Sequence, residues 1–232
     1  MAPAISRQFL LIDGDDTLWE NNVYFEQAIE AFIDFLGHSS MGREQVRAAL
    51  DEVERLNIAV HGYGSAAFTK NLQQTYERLA ERDVRPEDIE HVVQLGQRIA
   101  SQPLTLIPEV AETIDYLAGR HDLMLVTKGH PEEQRLKIER SGLESRFTAS
   151  AVVHEKAVDT YRAIARERDL DPTRTWMIGN SPRSDINPAL RAGLNAVFIP
   201  HEHTWRLEKE EVTHADGRLL ILHAFGELRV HF

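Results

Sequence analysis

The fold follows from the stretch Phe9-Leu10-Leu11-Ile12-Asp13-Gly14-Asp15-Asp16-Thr17-Leu18. Its four apolar residues run directly into carboxylates, a pattern that indicates a buried strand entering a loop. Asp13 and Asp15 stand two residues apart at the strand's end, so extended geometry points both acids into one pocket. Two carboxylates so close in a dry pocket need a cation. The alternative is a plain strand followed by an Asp-Gly turn, and the rest of the chain decides between the two interpretations.

Composition indicates a soluble globular protein of one large or two smaller domains, with 232 residues, 42% hydrophobic and 27% charged. The net charge of -11 argues against nucleic acid or anionic lipid as a partner. Without Cys there is no disulfide, thiolate nucleophile or Cys-ligated zinc. The start lacks a signal-peptide pattern, and no apolar run approaches the roughly 20 residues that span a bilayer, so we expect a cytoplasmic protein.

The sequence pattern of residues 20–103 predicts helices throughout. Apolar residues recur at helical spacing in four successive segments, which are separated by Gly37, by Gly62-Tyr63-Gly64 and by the turn before Pro86. Ser65 can cap the third of these helices. Four helices in a row predict a small bundle of their own, an all-helical insertion over residues 20–103.

After Pro103 the pattern alternates between strand and helix. Short apolar runs at 123–126, 149–153, 176–178 and 196–199 predict strands, and each is separated from the next by a single predicted helix. One of these helices is expected over Asp185 to Ala192. Strands joined by single helices imply parallel pairing. The predicted class is α/β, a doubly wound parallel sheet built from residues 1–19 and 104–232.

Polar residues fall at the carboxyl ends of four different predicted strands. They are Asp13, Thr127, Lys156 and the segment 180–185. Open parallel sheets bind ligands outside that edge, so we expect these segments to converge on one crevice. A single Lys after a strand is usually a solvated surface charge, but here it coincides with three other polar strand ends.

These residues resemble the four motifs of the haloacid dehalogenase-like (HAD) phosphohydrolase superfamily. The matching elements, in order, are Asp13-x-Asp15-x-Thr17, a strand ending in Thr127, an isolated Lys156, and Gly179-Asn180-x4-Asp185. The helical insertion matches the position of that superfamily's cap of the first type. The resemblance implies a Rossmann-like core with an inserted helical cap.

The resemblance implies that Asp13 is the nucleophile, which becomes an aspartyl phosphate, and that Asp15 is the general acid and base. Attack requires an ionised Asp13 and proton donation a protonated Asp15, so we expect their environments to separate their pKa values in that sense. The name-giving dehalogenases lack an acid two residues after the nucleophile. Asp15 therefore favours phosphate chemistry.

By the same resemblance, Thr127 and the backbone of Lys128 and Gly129 bind the phosphoryl oxygens, and Lys156 neutralises charge on nucleophile and phosphate. Hard oxygen ligands suit Mg²⁺, which keeps several waters. The implied ligands are Asp13, Asp15, Asp185 and Asn180. Asn180 departs from the family pattern, which commonly has Asp after this Gly; which of Asn180 and Asp185 contacts the metal stays open.

The resulting expectation is a Mg²⁺-dependent phosphatase for a small phosphorylated metabolite, acting as a monomer or homodimer. The alternatives are a phosphotransferase or phosphomutase of the same fold, and a non-catalytic phosphate-binding regulatory protein. Two further features have alternative interpretations. His201-Glu202-His203 is more often a polar loop than a metal pair. Trp19 lies where the chain enters the cap, and it can line a substrate pocket or equally pack the junction between core and cap.

Overall fold

The computed structural model describes residues 6–213 and 217–232. The chain divides into two compact units. One comprises residues 1–20 and 104–232, and the other comprises residues 21–103. We refer to them as the core unit and the cap unit.

The core unit contains a six-stranded parallel sheet in the order β3-β2-β1-β4-β5-β6. The doubly wound parallel sheet predicted from the alternating pattern is confirmed. The strands are β1 Phe9–Ile12, β2 Asp122–Lys128, β3 Ala149–Val153, β4 Thr175–Gly179, β5 Asn195–Phe198 and β6 Leu219–Ile221.

Strand β1 lies in the middle of the sheet because its apolar residues can be buried on both faces. Ile12 is in register with Leu125 of β2 on one side and with Ile178 of β4 on the other. Alternate side chains of β1 enter two separate hydrophobic clusters, with Leu10 in one and Leu11 in the other. Full burial of each such side chain contributes roughly 1.5–3 kcal/mol. The carboxyl end of β1 is thereby fixed at the centre of the sheet edge.

Helices cover the two faces of this sheet. They are α5 Val110–Ala118, α6 Pro131–Ser141, α7 Val158–Glu167, α8 Asn187–Arg191 and α9 Leu228–His231. The helix expected over Asp185 to Ala192 is wrong at its start: a π-helical turn at Pro182–Ile186 precedes α8. Pro188 lies in the first turn of α8, because a proline is tolerated there but not in a helix interior.

The cap unit contains four helices: α1 Asn22–Leu36, α2 Arg43–His61, α3 Ser65–Leu79 and α4 Pro86–Gln97. Their apolar faces enclose a separate core that includes Phe32, Leu50, Leu72 and Val92. Ser65 does not cap α3 as expected, since the capping position is Gly64 and no side chain bonds there. Within the described residues, no helix has both the length and the apolar character needed to cross a membrane.

Candidate active site

The carboxyl edge of the sheet brings three predicted site residues into direct contact. Asp13 follows β1, Lys156 follows β3 and Asp185 lies in the π-helical turn after β4. The Lys156 ammonium donates to Asp13 Oδ1 and to Asp185 Oδ1, the second at 2.7 Å. All three side chains are buried, Asp185 completely. Lys156 is therefore no solvated surface charge but a buried cation shared by two carboxylates.

Gly179 makes room for Asp185. A Cβ at position 179 would lie 2.2 Å from Asp185 Oδ2. That oxygen accepts a hydrogen bond of 2.9 Å from the backbone N–H of Ser181, so both oxygens of Asp185 are bonded. The glycine of the fourth motif is required here because the carboxylate passes directly over its Cα.

The charges of this group are unbalanced, since one lysine serves two acids. Burial, together with the negative charge of Asp185, raises the pKa of Asp13 to about 7, although Lys156 opposes the change. The pKa of Lys156 is raised by the same two carboxylates, despite the opposing effect of burial. Without a further cation, Asp13 holds its proton more tightly than an ordinary carboxyl group.

Asp15 points to a different set of partners. Lys137 of α6 donates to Oδ1 at 2.8 Å and to Oδ2 at 2.9 Å. The Trp19 indole donates to Oδ1 at 2.7 Å, and the Gln134 amide donates to Oδ2 at 2.9 Å. Burial favours a higher pKa for Asp15, but Lys137 and these hydrogen bonds outweigh it and lower the pKa below its usual value.

The pKa values of Asp13 and Asp15 are therefore separated as expected, but in the opposite direction. The sequence predicted an ionised Asp13 and a protonated Asp15, whereas the pKa of Asp13 is raised and that of Asp15 is lowered. The physical reason is that Asp13 is buried and shares the Lys156 cation with a second carboxylate, Asp185, while Lys137 contacts both oxygens of Asp15. Neither Lys137 nor Gln134 was predicted to belong to the site, and Trp19 lies within the core unit.

Thr127 and Lys128 are the last two residues of β2, and Gly129 follows the strand. The Thr127 hydroxyl lies buried and donates to Gln134 Oε1 at 3.1 Å, so its hydrogen bond is directed at a side chain in this structure. The Lys128 ammonium points to Glu208 at 2.7 Å and to Ser184 at 2.9 Å. The role of Thr127 and of the Lys128 and Gly129 backbone in binding phosphate stays a prediction.

Asn180 joins the group through hydroxyl residues. Thr17 donates to Asp13 Oδ2 at 3.3 Å and to Asn180 Oδ1 at 3.2 Å. The amide group of Asn180 in turn donates to Thr204 at 3.0 Å. These bonds orient the amide oxygen of Asn180 towards the side of the site that holds Asp13. This oxygen is the Asn180 atom that a hard cation would use.

The donor set at this edge fits a magnesium ion. Carboxylate oxygens of Asp13 and Asp185 and the amide oxygen of Asn180 are hard ligands. Burial and the neighbouring charge of Asp185 raise the pKa of Asp13, and a divalent cation would oppose both effects. The side chain of Asp15 is bonded to Lys137 and does not share this group.

A second cluster lies next to the first motif. Asp16, Glu20 and His201 offer ligand atoms that lie within 4.8 Å of one another, close enough to hold a metal ion. The two ring nitrogens of His201 face different carboxylates, Nδ1 at 3.9 Å from Asp16 and Nε2 at 3.4 Å from Glu20. One metal ion can bind only one of these nitrogens. The geometry is therefore equally consistent with a metal site and with an imidazole that forms ion pairs with two carboxylates. No pattern in the sequence indicated that His201 lies close to Asp16 and Glu20.

Comparison with known proteins defines the class. A model of the haloacid dehalogenase-like hydrolases matches residues 9–193. A search of curated proteins gives no match. The crystal structure of a haloacid dehalogenase-like family hydrolase from Xanthomonas campestris has 30% identity and a TM-score of 0.81, over 97% of this chain and 94% of that one. The chain belongs to the haloacid dehalogenase-like hydrolase family.

More distant structures share the fold and differ in chemistry. A predicted phosphoglycolate phosphatase from Haemophilus somnus has 15% identity and a TM-score of 0.65, over 97% of this chain and 98% of that one. L-2-haloacid dehalogenase from Xanthobacter autotrophicus has 14% identity and a TM-score of 0.63, over 97% of both chains. The likeness is nearly the same for both, so the fold does not choose between phosphate and haloacid substrates.

Proposed function

We propose that this protein is a Mg²⁺-dependent phosphatase that hydrolyses a small phosphorylated metabolite through an aspartyl phosphate on Asp13. The observation that carries the proposal is the presence of two acids in separate electrostatic environments, Asp13 beside Lys156 and Asp15 beside Lys137. A haloacid reaction has a halide leaving group, which needs no proton. Acid and base assistance by Asp15 is useful for an alkoxide leaving group and for water.

In the proposed first step, a carboxylate oxygen of Asp13 attacks phosphorus and the bond to the leaving oxygen breaks. The leaving oxygen keeps the electron pair and takes a proton from Asp15. In the second step, water attacks phosphorus and gives its proton to Asp15. The bond between phosphorus and Asp13 breaks, and inorganic phosphate is released. Mg²⁺ held by Asp13, Asp185 and Asn180 supplies charge neutralisation when bound.

Formal charge supports a phosphate dianion as the ligand. Asp13, Asp15 and Asp185 carry three negative charges when ionised, against two positive charges on Lys137 and Lys156. A divalent cation would give the group a net charge of about +1, which attracts a dianion.

The first experiment is Mg²⁺-dependent release of phosphate from p-nitrophenyl phosphate, followed by a panel of phosphorylated sugars, nucleotides and acids. We expect turnover by the wild type and none by Asp13→Asn. Asp159→Asn is the matched control, because it makes the same change at a side chain that is 95% exposed. Chloride release from 2-chloropropionate without phosphatase activity would contradict the proposal. Transfer of phosphate to a hydroxyl acceptor would indicate the phosphotransferase alternative, and turnover of neither substrate would indicate a binding protein.

A further inference from the structure

We propose that Trp19, Gln134 and Lys137 position the Asp15 carboxylate for the step in which water is activated. We call these three residues the Asp15 clamp. The inference deepens the proposed phosphatase function and rests on it. Lys137 and Gln134 do not contact the reacting atoms in this proposal; they act on catalysis through Asp15.

The Asp15 clamp holds both carboxylate oxygens. Oδ1 accepts hydrogen bonds from Trp19 and Lys137, and Oδ2 accepts hydrogen bonds from Gln134 and Lys137, all four between 2.7 and 2.9 Å. Bonds on both oxygens fix the rotation of the carboxylate as well as its position. The Asp15 side chain nevertheless retains 21% exposure, so it is not sealed from a water molecule.

Two glycines make room for the Asp15 clamp. A Cβ on Gly14 would lie 2.7 Å from Cζ2 of the Trp19 ring. A Cβ on Gly129 would lie 2.6 Å from Nε2 of Gln134, the atom that donates to Asp15. The loops after β1 and β2 thus each lack a side chain where a clamp residue passes. Glycine at both positions therefore permits the contacts of Trp19 and Gln134 with Asp15, which supports a specific role for these contacts.

Gln134 also connects Asp15 to the predicted phosphate-binding residue. Its Oε1 accepts from the Thr127 hydroxyl at 3.1 Å while its Nε2 donates to Asp15 at 2.9 Å. One side chain therefore sets the distance between the acid after β1 and the hydroxyl at the end of β2. Through these two hydrogen bonds, Gln134 would keep a phosphate bound near Thr127 at a fixed distance from the water that Asp15 activates.

The second step depends on this orientation. The Asp15 oxygen must face the water whose proton it accepts, and an error of about 1 Å in such positioning costs on the order of 100-fold in rate. The first step has no such need when the substrate is p-nitrophenyl phosphate, because p-nitrophenolate is a weak base and leaves without a proton. This substrate therefore separates the two steps.

The test compares Lys137→Met with Lys137→Arg, which keeps a donating cation. Arg135→Met is the matched control: Arg135 also lies on α6 and is paired with a carboxylate, Glu139, but its side chain is 62% exposed. With p-nitrophenyl phosphate, we expect Lys137→Met to lower kcat by roughly 10- to 100-fold and KM in parallel, with kcat/KM nearly unchanged. A burst of p-nitrophenolate equal to the enzyme concentration should appear. Lys137→Arg should recover much of kcat, and Arg135→Met should match the wild type.

An equal fall in kcat and kcat/KM without a burst, or no change in either, would overturn the inference. A second measurement does not depend on activity: the indole N–H signal of Trp19 in a ¹H–¹⁵N spectrum, assigned with Trp19→Phe. It should shift in Lys137→Met and stay in place in Arg135→Met; an unmoved signal in Lys137→Met would show that the Asp15 clamp does not exist. If the wild type hydrolyses no phosphate ester, the proposed function fails, and this signal alone decides whether Lys137 positions Asp15.

Discussion

Replacement of Asp13 by Asn should stabilise the metal-free protein. In the structure, Asp13 and Asp185 are both buried and share the single positive charge of Lys156. Asn removes one negative charge at nearly constant volume and leaves Lys156 with a full partner in Asp185. Active sites often store this kind of unfavourable charge, so loss of function is accompanied by a gain in stability.

The size of the effect follows from the pKa of Asp13, which is raised from 3.8 to about 7. Because the folded-state pKa is the higher one, the folded protein binds the extra proton, and the free energy of unfolding falls as the pH rises from about 4 to about 7. At about 1.4 kcal/mol per pH unit, the cost is on the order of 4 kcal/mol, fully present above pH 7 and absent below pH 4. Asp13→Asn should recover this amount at high pH and nothing at low pH.

Denaturant unfolding followed by tryptophan fluorescence measures this cost in the core unit, which contains all three tryptophans, at 19, 176 and 205. The series runs from about pH 4 to about pH 8 with a chelator present, and Asp159→Asn controls for a charge change at an exposed side chain. Addition of Mg²⁺ should stabilise the wild type more than Asp13→Asn, because a ligand that binds only the folded state raises its stability.

Parallel pH curves for the wild type and Asp13→Asn would refute this reasoning. Such a result would mean that Lys156 alone keeps Asp13 ionised despite the presence of Asp185. A loss of stability in Asp13→Asn above pH 7 would lead to the same conclusion, since it would give the Asp13–Lys156 pair a net stabilising role.

Three further changes test other parts of the structure. Gly179→Ala places a Cβ 2.2 Å from Asp185 Oδ2, so denaturant unfolding should show a loss of roughly 1–3 kcal/mol. Asp185→Ala should raise the Mg²⁺ concentration for half-maximal activity by roughly 10- to 100-fold, and Asn180→Ala should raise it less. In the cap unit, hydrogen bonds from Arg85 lower the pKa of Asp88 to about 2. The stability that Asp88 contributes is present above about pH 4 and is lost as the pH falls towards 2. In denaturant unfolding followed by circular dichroism, Asp88→Asn should therefore have a lower free energy of unfolding than the wild type at neutral pH, and the two values should converge in acid.

The four inner strands of the sheet, β1, β2, β4 and β5, were predictable because they are buried on both faces. A run such as Phe9–Ile12 needs no partner sequence to be recognised, and single helices between such runs leave parallel pairing as the outcome. The same logic brings Asp13, Lys156 and Asp185 to one edge. Helix boundaries in the cap unit were predictable for a related reason, since glycine and proline mark most of their ends.

The partners of Asp15 were not predictable from periodicity. Lys137 is 122 residues away in sequence and lies on a helix with several other charged residues, Arg135 and Glu139 among them. A helical pattern tells which face a residue occupies but not which of several lysines meets an acid on another strand. The one signal available was Gly129, which together with Gly14 permits the close approach of the clamp residues. The lowered pKa of Asp15 depends on these unpredicted contacts, whereas the raised pKa of Asp13 follows from its burial beside Asp185, whose electrostatic effect the sequence pattern does not reveal.

The reversed pKa directions have a consequence for the order of events at the site. A divalent cation beside Asp13 would favour its carboxylate and lower its pKa, which produces the nucleophile. A phosphate dianion near Asp15 would oppose the charge of Lys137 and raise the pKa of Asp15, which produces the acid. Bound metal and bound substrate would therefore both favour the protonation states that the proposed first step needs. After its proton has left with the leaving group, Asp15 is ionised beside Lys137, and this is the form that accepts a proton from water in the proposed second step.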